Sequence, residues 1–298
     1  MVPYYNTNMS ILKIFQKGWN YSQDGPGNRL VYHLQGCNMR CPWCSNPEGL
    51  SKDGTLMVDE GKLVDAVCPN GAIQNQKIDR SICLSCHSRE CITKNKNLGI
   101  RFPCQRYSVK SLIAEVQRAG SLFYDGGGVT LTGGEATMQF EAVKELLSAL
   151  KASNINTALE TNGTHPRLPE LFPLLDTLIM DMKHYEPGIH QQVIGIGNSV
   201  IIGNIKKAAV EHADTWLRIP LIPGFNDSDD DAHQFANFFK QLSYEKVSIE
   251  VLAYHEFGKV KWNQCGMEYP FKNGCLSNGR RKEYTDILKK YELNLIHT

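Results

Sequence analysis

Three cysteines fall within eight residues, Cys37, Cys41 and Cys44, at the spacing C-x3-C-x2-C. They follow the run Leu30-Val31-Tyr32-His33-Leu34, which reads as a buried strand ending at Gly36. The thiols therefore sit on a loop at the C-terminal end of a strand, where α/β barrels and open α/β sheets place their chemistry. Thiolates are soft ligands suited to iron–sulfur clusters or zinc. A cubane cluster takes four thiolates and this loop offers three, so one iron keeps an open position, as a catalytic zinc does with three protein ligands. A zinc knuckle completed by a distant His or Cys is the alternative, although the common zinc pattern is C-x2-C with a second pair downstream.

The remaining cysteines are segregated. Of ten in 298 residues, eight lie from Cys37 to Cys104, and only Cys265 and Cys275 lie beyond. No apolar run approaches the roughly 20 residues of a membrane-spanning helix. Met1 to Phe15 lacks the charged start and long apolar stretch of a signal peptide. A cytoplasmic, reducing setting is expected, in which so many cysteines mean metal or redox chemistry rather than disulfides. The net charge of +1 gives no basic surplus for nucleic acid or a membrane surface. Arg280-Arg281-Lys282 reads as a solvated helix face.

Residues 49–105 are polar, weakly periodic and carry Cys68, Cys83, Cys86, Cys91 and Cys104. Cys68-Pro69 looks like the Cys-Pro end of a bacterial ferredoxin motif, and Cys83-x2-Cys86 followed by Cys91 like the start of a second. In two-cluster ferredoxins the Cys-Pro cysteine serves the other cluster from its sequence neighbours. By that logic Cys68, Cys83, Cys86 and Cys91 hold one auxiliary cluster. Cys104 is the counterpart of a ligand whose cluster has been lost, or a substitute for Cys68. A four-cysteine zinc site from the same residues is the alternative, and His87 reads as a surface histidine.

Ile11-Leu12-Lys13-Ile14-Phe15 is a short strand candidate, and from residue 107 strands and helices alternate. Strands are expected at 129–132, 156–160, 177–181, 215–221, 247–252 and 293–296, and helices at 109–116, 139–151, 166–175, 199–212, 228–242 and 280–291. Alternation of this kind implies a parallel sheet. With the strand at 30–35, six βα units are visible, fewer than the eight of a closed barrel. Each strand ends in polar residues: Gly133-Gly134-Glu135, Glu160-Thr161-Asn162, Asp181-Met182-Lys183 and Tyr254-His255-Glu256. Arg218 lies inside an apolar strand and needs an anionic partner, either a ligand carboxylate or a nearby acid.

Together the C-x3-C-x2-C loop with Trp43 before its last cysteine, Gly133-Gly134-Glu135, Asp181-Met182-Lys183 and Tyr254-His255-Glu256-Phe257-Gly258-Lys259 resemble radical S-adenosylmethionine (SAM) enzymes. Asp24-Gly25-Pro26-Gly27-x-Arg29, Asp125-Gly126-Gly127-Gly128-Val129-Thr130 and Pro223-Gly224-Phe225-Asn226-Asp227 narrow the resemblance to activating enzymes of glycyl radical enzymes, of the pyruvate formate-lyase activating type.

The resemblance implies an α/β fold, a partial (β/α)6 TIM-like barrel from residues 1–48 and 106–298, with a small ferredoxin-like cysteine-rich insert at 49–105. It implies a [4Fe–4S] cluster with an open iron on Cys37, Cys41 and Cys44, and SAM on that iron. Gly133, Gly134 and Glu135 would meet the methionine amino group. The Asp181-Met182-Lys183 run, Arg218 and His255 would hold the ribose and carboxylate, with Trp43 near the adenine. A monovalent cation would sit at Glu160, Thr161, Met180 and Asp181, although the family has Asp where this chain has Glu160. Reductive cleavage of SAM would give a 5′-deoxyadenosyl radical that takes a hydrogen from a glycine of a partner enzyme, with flavodoxin or ferredoxin as electron donor. The chain itself would be a monomer. A radical SAM enzyme acting on a small molecule is the competing reading, and a non-catalytic metal module a third.

Overall fold

The computed structural model describes residues 10–63, 68–84, 86, 88–93, 99–242 and 246–298; His87 lies outside them. Strand β1 (Ile11–Tyr21) runs antiparallel to β2 (Asn28–Leu34). Four two-residue strands follow: β3 (Met57–Val58), β4 (Ile73–Gln74), β5 (Lys77–Ile78) and β6 (Ile100–Arg101). Short helices α1 (Arg80–Leu84) and α2 (Glu90–Thr93) lie between the last two. β7 (Gln105–Ser108) then returns to the free edge of β1. The rest alternates: α3 (Val109–Arg118), β8 (Gly128–Gly133), α4 (Phe140–Ala152), β9 (Asn156–Thr161), β10 (Thr177–Asp181), α5 (Pro187–Ile194), α6 (Ser199–Glu211), β11 (Thr215–Leu221), α7 (Asp229–Phe239), β12 (Val247–Ala253), α8 (Lys259–Gln264), α9 (Asn278–Lys289) and β13 (Leu295–Ile296).

The nine-stranded sheet has the order β13-β12-β11-β10-β9-β8-β2-β1-β7. From β2 to β13 every neighbouring pair is parallel. All those strands therefore end on one edge, and the loops that follow them converge there. β8 is buried from Gly128 to Thr132 and β10 from Thr177 to Met180, the continuous burial of strands covered on both faces. The α/β class and mostly parallel sheet agree with the sequence expectation. Residues 57–100 add a second, smaller apolar cluster of Val58, Leu63, Ile73 and Ile100, separate from the main core. Among the described residues no single helix is long and apolar enough to cross a membrane.

Side-chain caps mark the starts of α3, α5, α7 and α9. The Ser111 amide donates to Ser108 Oγ at 3.1 Å, and Ser228 with Asp231 closes a capping box at α7. Two local expectations are corrected, and one helix is new. The helix expected at 166–175 is a 3₁₀ turn, Leu168–Leu174, because Pro173 inside it has no N–H to give an α-helical bond. β1 continues past Phe15 to Tyr21, where its polar half pairs with β2. α5 was not anticipated; Pro187 in its first turn and the Glu186 side chain, accepting from the Ile189 amide at 2.7 Å, start it.

Candidate functional site

The loops at the parallel strand ends enclose a cavity of about 320 Å³. Cys37, Cys41 and Cys44 line it after β2, and Trp43 lines it beside them. Gly133 and Gly134 contribute after β8, Thr161 and Asn162 from β9, Asp181 and Lys183 from β10, and His255 after β12. Five separate strand ends thus bring the sequence-selected residues together. Glu135, Met182 and Arg218 are not on the cavity wall.

The thiol loop is tied down on several sides. Asn162 Nδ2 donates to Asn38 Oδ1 at 2.9 Å, and Asn38 Nδ2 to Thr164 Oγ1 at 2.8 Å. The Arg40 amide donates to the carbonyl of Ile194 at the end of α5 at 3.0 Å. On the other side, a Cβ on Gly258 would come within 2.6 Å of the Cys44 carbonyl oxygen, so only glycine permits that approach. Gly134 is required for the same reason: its Cβ would stand 2.3 Å from the Gly36 carbonyl oxygen. The Gly133-Gly134 pair thus brings β8 against the entrance of the thiol loop.

The electrostatics follow from burial. The Cys37 and Cys44 thiols are pushed up to about 12, and Cys41 is raised as well, because the thiolate is disfavoured away from water. Burial pulls Lys183 down, but Asp181, at 2.9 Å, and the Cys41 thiol outweigh it and hold the ammonium above its ordinary value. Glu135 is 1% exposed and fully engaged. Its oxygens accept from the Thr137 amide at 2.9 Å, from Thr161 Oγ1 at 2.7 Å and from the Asn162 amide at 2.7 Å. Arg218 is paired with two acids: its Nη1 meets Glu160 Oε1 at 2.7 Å and its Nε meets Glu250 Oε2 at 2.8 Å. Glu160 accepts from Thr132 Oγ1 at 2.6 Å through its other oxygen.

A second cavity of about 550 Å³ is lined by Cys68, Cys83, Cys86 and Cys91 together. Cys104 is not on its wall, whereas Cys265 is. The Ala72 amide donates to Cys68 Sγ at 3.3 Å and Asn70 Nδ2 to Cys86 Sγ at 3.4 Å. Burial raises the Cys83 and Cys91 thiols, whereas the Arg89 amide, donating to it, lowers Cys86. Among the described residues no three His, Cys, Asp or Glu side chains converge as ligands of a single metal ion. Each thiol set lines a cavity.

The family model of the radical SAM superfamily matches residues 31–236, which hold the thiol loop and the strand ends through β11. The chain belongs to the radical SAM superfamily. Within it the chain groups with activating enzymes of glycyl radical enzymes. It is 31% identical over 282 residues to the 4-hydroxyphenylacetate decarboxylase activating enzyme of Clostridioides difficile, covering 89% of each chain. It is 33% identical over 291 residues to the isethionate sulfite-lyase activating enzyme of Desulfovibrio desulfuricans, covering 92% of this chain and 91% of that one. The choline trimethylamine-lyase activating enzyme of Oleidesulfovibrio alaskensis is 31% identical over 288 residues, 90% of this chain and 92% of that one. The solved structure of Streptococcus suis SuiB with its precursor peptide shares the fold at a TM-score of 0.54 and 14% identity, covering 89% of this chain and 47% of that one.

Radical SAM enzymes use a [4Fe–4S] cluster and SAM, and the first cavity fits both. Three thiols, that of Cys41 buried and the other two half-buried, face one space, and Asp181 Oδ1 and His33 Nδ1 are buried there without hydrogen-bond partners among the described residues. Asp24, His33 and Thr132 also line the cavity, and the sequence did not single out these three as site residues. His33 sits inside the β2 run and reads as a strand residue; only the register beside Thr132 of β8 turns it into the cavity. Asn226 was noted only as part of a motif. It is fully buried and clamps two strand ends, donating to the carbonyls of Lys183 at 2.8 Å and Pro220 at 2.9 Å.

Proposed function

We propose that this chain activates a glycyl radical enzyme, with Cys37, Cys41 and Cys44 as ligands of a [4Fe–4S] cluster whose open iron takes SAM. The observation that carries the reading is the convergence of those thiols with Asp181, Lys183 and His255 in one cavity. Cluster and SAM together supply reductive cleavage to methionine and a 5′-deoxyadenosyl radical, which removes a hydrogen from a glycine of the partner. The protein's own share is binding, orientation and exclusion of water. Lys183, kept cationic by Asp181, suits the methionine carboxylate, and Trp43 the adenine. Glu135 and Arg218 act from behind the wall. Glu135 fixes the backbone at Asn162, and Arg218 holds Glu160 and Glu250 in place. Met182 belongs to the same supporting layer, its amide donating to the Arg218 carbonyl at 2.8 Å.

The reading extends to the rest of the chain. The parallel run from β2 to β13 forms a partial (β/α)6 TIM-like barrel, and residues 49–105 form a ferredoxin-like insert with its own apolar cluster. The second cavity holds an auxiliary [4Fe–4S] cluster on Cys68, Cys83, Cys86 and Cys91, and its position off Cys104 supports Cys68 as the fourth ligand. A monovalent cation is retained beside Thr161, Met180 and Asp181; Glu160, held by Arg218 and Thr132, is its weakest ligand. The protein works as a cytoplasmic monomer that takes electrons from flavodoxin or ferredoxin, without nucleic acid or membrane.

The test is anaerobic. Reconstituted, reduced protein is incubated with SAM and a candidate glycyl radical enzyme, and the partner is examined by electron paramagnetic resonance. A glycyl radical on the partner is expected. 5′-Deoxyadenosine formed only in the presence of a small molecule supports the competing reading.

A further inference from the structure

The two thiol cavities share one structural element. α8 follows the loop that carries His255 into the first cavity, and Cys265 and Gly266, just past its end, line the second. Trp262, in the middle of α8, is 9% exposed and donates its indole Nε1–H to the Cys44 carbonyl at 2.8 Å. Lys261 beside it meets Glu48 Oε1 at 2.8 Å and donates to Asn46 Oδ1 at 2.8 Å, both on the segment that leaves the thiol loop. At the far end Arg80 Nη2 donates to the Gln264 carbonyl at 2.6 Å, while Arg80 Nη1 donates to the Leu56 carbonyl at 3.1 Å. Arg80 opens α1, the helix that contains Cys83, and itself lines the second cavity. Cys44 and Cys83 are thus joined through two side-chain hydrogen bonds and the stretch of α8 between Trp262 and Gln264. Two residues of helix span only about 3 Å. So short a stretch transmits a shift rather than absorbing it, as close-packed elements do.

We propose that α8 is a strut that couples the two cavities: a cluster in the second cavity fixes Arg80 and, through Gln264 and Trp262, the position of Cys44, so that SAM binds more tightly when the second cavity is filled. This rests on the reading that each cavity holds a cluster. Arg80 and Trp262 are positioning residues, since neither is placed on SAM. A filled second cavity pins α1 in advance, so SAM binding has less left to order. Coupling of this kind is reciprocal, and SAM therefore tightens binding of the second cluster.

The experiment uses the full-length protein, reconstituted anaerobically. Iron and sulfide per chain are counted, and SAM affinity is titrated by the change it causes in the resonance signal of the reduced cluster on Cys37, Cys41 and Cys44. The double variant Cys83→Ser/Cys86→Ser empties the second cavity. It is expected to keep iron for one cluster and to bind SAM at least about fivefold more weakly, the lower end of couplings between linked sites. With Trp262→Phe already in place, which keeps a ring but removes the N–H, emptying the cavity is expected to change affinity less than about twofold. Arg80→Gln cuts the strut at its other end without touching the Cys44 loop and is expected to abolish the coupling likewise. Equal SAM affinity with the second cavity filled or empty overturns the proposal, as does undiminished coupling in Arg80→Gln. Unmutated protein that binds iron for one cluster only also overturns it. In that case SAM cleavage by the remaining cluster would leave the proposed activation of a partner standing.

Discussion

Asn226 donates its side-chain amide to the backbone carbonyl of Lys183 at 2.8 Å. The same side chain donates to the Pro220 carbonyl and accepts from the Ile222 amide at 2.7 Å. One fully buried amide therefore fixes the end of β11 against the residue that carries the only cationic side chain on the cavity wall, among the described residues. Asn226→Ala removes the side-chain partner of three backbone groups, one buried and two partly buried. The expected loss of stability is about 1–3 kcal/mol, the desolvation cost of such groups. SAM affinity is expected to fall roughly tenfold as Lys183 loosens. Urea unfolding and SAM titration check the two parts separately.

Arg218 is 3% exposed and lies between two carboxylates. Arg218→Ala leaves Glu160 and Glu250 without their counter-charge, and a broken buried pair of this kind costs about 3–5 kcal/mol. Chemical denaturation measures it. Because Arg218 stands behind the wall, the triple change Arg218→Met/Glu160→Gln/Glu250→Gln is expected to recover much of that stability. Failure of the triple variant to recover any would show a role for the charge beyond pairing.

These two residues also show where the sequence stopped being informative. That a buried Arg218 needs an anion was legible from its apolar flanks. Which anion it takes was not, because Glu160 and Glu250 come from β9 and β12, and only the parallel register sets them beside it. The strand ends were legible since glycines and charges interrupt apolar runs there. β1 beyond Phe15 was not: Gln16-Lys17-Gly18 has no strand alternation, and pairing with β2 rather than propensity makes it a strand. The grouping of Cys68 with Cys83, Cys86 and Cys91 was legible from ferredoxin-like spacing, whereas Cys265 on the same cavity was not, being more than 170 residues away in sequence.

Acid should destabilise the protein through its buried histidines. His33, His190 and His212 are all held below the ordinary 6.5, in each case chiefly by burial. The folded state keeps these rings neutral while the unfolded state binds protons near 6.5. Their contribution is present above that value and is lost as pH falls through it toward the lower folded values. His212, 3% exposed, has Nε2 at 3.2 Å from the Leu175 carbonyl and Nδ1 at 3.3 Å from the Asp214 amide, an arrangement that suits the neutral ring. Urea midpoints measured from neutral pH downward are expected to decline below about 6.5, and less steeply in His212→Gln.

The two thiol sets should divide cleanly by function. Cys37→Ala, Cys41→Ala and Cys44→Ala are each expected to abolish SAM cleavage. Cys83→Ala or Cys86→Ala is expected to leave the catalytic cluster assembled, with iron lost from the second cavity alone. Iron and sulfide analysis of anaerobically purified variants reads the division. Loss of all iron in either insert variant would contradict it.

In the proposed function the radical generated at the Cys37–Cys44 loop is delivered to a glycine of another protein. The most direct measurement is the resonance spectrum of a glycyl radical enzyme after incubation with this protein, reduced and supplied with SAM. A glycyl radical on the partner is expected, and it is expected to be absent with Cys41→Ala. SAM cleavage by the intact protein that proceeds with a small molecule and never marks any glycyl radical enzyme would contradict it.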